Sequence, residues 1–95
     1  MRINKLKELL DLPHSNIVID YLNYKMYNIR IDYKENFYII RNLTKEEKRY
    51  IKGWLLRMKL ENKKPKIEPF NWLTKNRVDN IIRRDLKSRR AKEIK

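Results

Sequence analysis

Ninety-five residues with 41% hydrophobic and 11% aromatic content are enough for one folded domain, residues 1–95, around a single modest core, even with 39% of the chain charged. The absence of cysteine excludes disulfides, thiolate metal sites and cysteine nucleophiles, and a single glycine excludes a glycine-rich phosphate loop. The net charge of +13 is uneven: residues 1–48 carry nine Lys and Arg against seven Asp and Glu, and residues 49–95 carry sixteen against five.

An AT-rich gene enriches Asn, Lys, Ile and Tyr without any selection for binding, but it does not confine the excess charge to one half. A polarised basic surface points first to nucleic acid, with acidic proteins and anionic membrane surfaces as competitors. Charged residues break every apolar run of MRINKLKELLDL, and no later stretch approaches a membrane span. A soluble, cytoplasmic protein with no membrane partner is expected.

In chain order, Ile3, Leu6, Leu9 and Leu10 fall at helical spacing, with Asn4 as a cap and Pro13 closing a short helix. His14 and Ser15 follow in a turn. Their adjacency in sequence implies no catalytic geometry, and no third partner is marked.

The stretch from Asn16 to Met26 mixes β-branched Ile17, Val18 and Ile19 with a polar set, Asn16, Asp20 and Asn23, that would also line one face of a helix. The strand reading is favoured. Tyr27, Ile29, Ile31 and Tyr33 then alternate with Asn28, Arg30, Asp32 and Lys34, the period of a half-buried strand. A hairpin over Tyr27 to Ile40 with a three-residue loop, Asn36 left-handed, completes a three-stranded, mostly antiparallel sheet.

Thr44 and Glu47 spell a capping box, and Tyr50, Ile51, Trp54, Leu55 and Met58 form the packing stripe of the helix that follows. Trp54 reads as a core anchor. Leu56 and Leu60 fall off the stripe and call for a second contact, with the C-terminal helix or with a partner, while Gly53 calls for close packing or a bend. Residues 61–69, ENKKPKIEP, read as a connector. Phe70, Trp72 and Leu73 would staple a last helix opened by Thr74.

That helix packs through Val78, Ile81, Ile82 and Leu86. Lys75 and Arg77 place positive charge in its first turn, against the helix dipole, as if an anion belonged there. Asn76, Asn80 and Arg83 are residue types that read base edges, Arg84 shares their polar side, and Lys87, Arg89, Arg90 and Lys92 would follow a phosphate backbone, with residues 87–95 fraying unless bound. Lys48, Arg49 and Lys52 of the preceding helix would supply a flank. The plainer alternative is a solvated basic face that serves solubility.

The fold class expected is thus α+β: a short N-terminal helix, three strands and two C-terminal helices, the last strongly basic. Base stacking by Tyr27, Tyr33, Phe37 and Tyr38 is the weaker alternative to core packing. Asp20 with the D-x-K triplet Asp32 to Lys34 distantly fits a metal-dependent nuclease, but an Asp32–Lys34 ion pair is the expected role. A non-enzymatic nucleic-acid-binding protein, without metal or other cofactor, is expected. One rival is a small phage or mobile-element protein that inhibits or adapts a host nucleic-acid enzyme by docking on an acidic surface; another is a ribonucleoprotein component.

Overall fold

Alternation of apolar and polar residues pairs the first three strands. The computed structural model describes all 95 residues and begins with α1 (Arg2–Leu10), then β1 (Asn16–Leu22), β2 (Lys25–Tyr33) and β3 (Asn36–Ile40). α2 (Lys45–Leu60), β4 (Lys66–Trp72), α3 (Lys75–Leu86) and β5 (Ala91–Glu93) follow. β1–β2 and β2–β3 are antiparallel, whereas β4 joins β1 and β5 joins β3 in parallel, giving one sheet of order β4-β1-β2-β3-β5.

The expected three-stranded, mostly antiparallel sheet is therefore corrected to a five-stranded mixed one within the same α+β class. β4 lies partly inside the segment that reads as a connector, and its Pro69 discourages a strand reading. Proline is tolerated there because β4 is an edge strand and Pro69 need not donate to a ladder. β5 comes from the tail for which fraying is expected. Its Ala-Lys-Glu sequence has low strand propensity, but Ile94 N–H donates to the Ile39 carbonyl and Phe37 N–H to the Arg90 carbonyl, so backbone pairing ties it down.

Each face of the sheet carries helices. α1 and α2 cover the apolar face, where Leu6, Ile17, Ile19, Ile29, Ile31, Ile40, Ile51 and Trp54 share one core cluster. α3 crosses the other face, whose buried apolar residues Ile39, Val78 and Ile82 stand outside that cluster. The strand positions facing α3 are largely polar: Asp20, Asn28, Arg30 and Asp32. Strict alternation marks such a face as solvated, but here a helix covers it.

The strand reading of Asn16 to Met26 holds as far as Leu22, where the chain turns. Asn23 (φ 52°) and Tyr24 (φ 64°) form a two-residue turn into β2 with both central residues left-handed, the type I′ pattern. Asp20 faces Asn28 and Tyr21 faces Met26, so Tyr27 is an extra residue, a bulge that returns Met26 to the core face. The next turn also differs from expectation. Tyr33 pairs with Asn36, leaving two residues in the loop, and Lys34 (φ 55°), not Asn36, is left-handed.

Candidate nucleic-acid interface

α2 is capped as its sequence specifies: Glu47 N–H donates to Thr44 Oγ1 at 3.2 Å and Thr44 N–H to Glu47 Oε1 at 2.8 Å. The same carboxylate receives Arg2 Nε at 2.8 Å and Nη2 at 2.6 Å, a fork that pins the start of α1 to the start of α2. Burial opposes ionisation of Glu47, but the hydrogen bonds from Arg2 and Thr44 outweigh it and hold the carboxyl below its ordinary value. Lys48, Arg49 and Lys52 project from this layer.

α3 begins differently. The Thr74 side chain makes no capping hydrogen bond, and Lys75 to Arg77 follow it exposed. Beneath the helix, burial opposes the charge of Arg30, yet Asp32 and Asp85 together raise its pKa; Arg30 grips Asp32 through two 2.8 Å bonds and reaches Asp85 at 3.1 Å. The expected Asp32–Lys34 pair is thus replaced by Asp32–Arg30, and Lys34 lies over the Tyr33 ring. Tyr27 donates to Asp79 at 3.4 Å, and burial together with Asp79 raises the phenol pKa.

Both carboxylates of α3 are therefore spent on the sheet. Lys75, Asn76, Arg77, Asn80, Arg83, Arg84 and Lys87 are all exposed, and none of the five cations among them forms an ion pair within 4 Å. Arg90 leaves this row: its guanidinium stacks on Phe37, which Arg30 covers from a similar distance, 4.9 and 4.8 Å to the ring centre.

The candidate residues do not form one surface. Lys48, Arg49 and Lys52 belong to the α1/α2 layer, and those of α3 to the opposite layer, so α2 does not flank the α3 face along its length. α2 meets the β1–β2 turn at one end of the sheet. There Lys48 and Lys52 line a cleft of about 250 Å³ with Tyr21, Tyr24, Lys25 and Met26, and Leu22, just before the turn, is in register with Trp72, three residues before Lys75. Sequence reasoning missed Tyr24; the signal was the two-residue spacing between β1 and β2.

Asp20 and Asp32 face the same side of the sheet, but Asp20 pairs with Asn28 whereas Asp32 pairs with Asn16. Four residues of strand separate them, about 13 Å, too far to share a metal ion. Asp20 instead accepts from Trp72 Nε1 at 3.2 Å. No group of three or more His, Cys, Asp or Glu is arranged to hold a metal ion, and no helix is long and apolar enough to cross a membrane. Comparison of the chain with protein-family models, curated proteins and solved structures finds no match.

Proposed function

We propose that this chain is a non-enzymatic nucleic-acid-binding protein that lays the outer face of α3 into a groove or along a phosphate backbone. The sorting of charge on α3 carries the reading: Asp79 and Asp85 turn inward to Tyr27 and Arg30, and Lys75, Arg77, Arg83, Arg84 and Lys87 point outward unpaired. A helix serving only solubility gains from mixed signs on its surface. α3 instead gives up its screening charges. Twelve residues span about 18 Å, the length of roughly five phosphates on one strand of a duplex. Asn76, Asn80 and Arg83 share the stripe and supply the groups suited to base edges.

Charge reversal tests the assignment. Arg83→Glu, Arg84→Glu and Lys87→Glu together remove most of the affinity for a labelled 20-base-pair duplex and a 20-mer single strand, measured by fluorescence anisotropy. Reversal of Lys48, Arg49 and Lys52 has the smaller effect because those residues lie in the other layer. Unchanged binding of both ligands by the α3 variant contradicts the reading.

One observation favours docking on another protein instead. Leu56 and Leu60 of α2 are 57% and 76% exposed, and α3, on the far face of the sheet, leaves them uncovered. Such aliphatic knobs suit a protein surface better than a nucleic-acid one. Purification in low and high salt distinguishes the readings: absorbance at 260 nm that co-purifies only in low salt supports nucleic acid, and one stoichiometric acidic protein supports docking.

A further inference from the structure

We infer that Tyr24, at the tip of the β1–β2 turn, is a stacking platform for an unpaired nucleobase; the inference rests on the nucleic-acid reading and adds a second contact point to it. Tyr24 is 83% exposed, the most exposed aromatic side chain of the molecule, and its backbone is left-handed at φ 64°. A type I′ turn favours Gly or Asn at both central positions, and a bulky side chain there is strained. Asn23 satisfies the rule and Tyr24 breaks it. The ring is left almost wholly outside the core, so burial does not offset that strain.

The backbone of the turn is tied down, which fixes the point from which the ring projects. Tyr24 N–H donates to Asn71 Oδ1 at 3.0 Å, and Asn23 N–H donates to the Trp72 carbonyl at 3.3 Å, so the tip is fastened to the neighbouring edge strand β4. Three lysines lie on the same side of the turn. Lys25 follows in the chain, and Lys48 and Lys52 of α2 line the same cleft beside the ring. An exposed aromatic on a cleft that three lysines also line matches a base on a phosphate strand: the ring meets the base face and the ammonium groups meet the flanking phosphates. It also gives Lys48 and Lys52 a role beside the β1–β2 turn.

The test compares two single strands of equal charge, a labelled 20-mer of deoxyadenylate and a 20-mer of abasic sites, in binding to the wild-type protein, Tyr24→Gly and Tyr24→Phe. Wild type and Tyr24→Phe are expected to prefer the base-bearing strand by on the order of tenfold. Tyr24→Gly loses that preference, keeps the binding common to both strands, and melts higher than wild type because Gly relieves the left-handed strain. Loss of affinity in a more stable protein cannot come from unfolding. A Tyr24→Gly variant that keeps the preference, or that melts lower than wild type, overturns the inference and leaves the α3 assignment standing. Wild-type protein that binds neither strand and no duplex overturns both.

Discussion

Asp20 shows what a covered polar face costs at the level of one residue. Burial raises its pKa above the ordinary 3.8, and the hydrogen bond from Trp72 only partly opposes the shift. Between 3.8 and the raised value the folded protein binds more protons than the unfolded chain, so stability falls as pH rises through that window and the deficit is complete above it. Asp20→Asn keeps an acceptor for the Trp72 indole and removes the titration. It is expected to raise the melting temperature at pH 7 and to lose that advantage at pH 3, as read by circular dichroism at both pH values. Gly53 gives a simpler case. It lies exposed in the interior of α2, and an added Cβ meets nothing within 4 Å, so the close packing that the sequence invites one to expect is absent. Gly53→Ala should stabilise by about 1 kcal/mol, visible as a rise of roughly 4–8 °C in melting temperature.

Elements were legible where one residue pattern carried the signal. The Thr44–Glu47 box starts α2, Trp54 sits in the core, and the alternation from Tyr27 to Tyr33 marks β2. β4 and β5 were hidden because parallel edge pairing is long-range and leaves little periodicity, while Pro69 and the short Ala-Lys-Glu segment argue locally against strands. The Arg2–Glu47 fork was equally invisible, since 45 residues separate its partners. It makes a prediction about the α1–α2 layer. The Glu47 pKa is depressed below 4.5, so its contribution is complete above that value and is lost as pH falls through the folded pKa. Glu47→Gln should lower stability at pH 7 by roughly 1–3 kcal/mol and unfold with a flatter acid limb, measured by urea denaturation between pH 7 and 3. On the other layer, Arg30→Met leaves Asp32 and Asp85 without their shared partner. Loss of about 1–3 kcal/mol is expected, with amide exchange in α3 rising more than in α2.

At the scale of the whole molecule, a five-stranded sheet separates two helical layers with different work. The α1/α2 layer holds the main apolar core, and the α3 layer rests on a polar network that consumes acidic side chains and leaves basic ones outside. The net +11 of residues 49–95 was legible in the sequence, and so was the basic stripe of α3. Its division between two faces was not, because the side of the sheet on which each helix lands depends on crossover connections rather than on local pattern. Under the proposed function, that division makes α3, not α2, the main contact with polyanion. The most direct measurement of this claim is the slope of log Kobs against log salt concentration for duplex binding by the wild type and by the Arg83, Arg84 and Lys87 charge-reversal variant. The slope should flatten by about 2–3 in the variant, near 0.9 for each lost phosphate contact, with little change for reversal of Lys48, Arg49 and Lys52. Equal slopes for wild type and the α3 variant would contradict the assignment of nucleic-acid binding to this face.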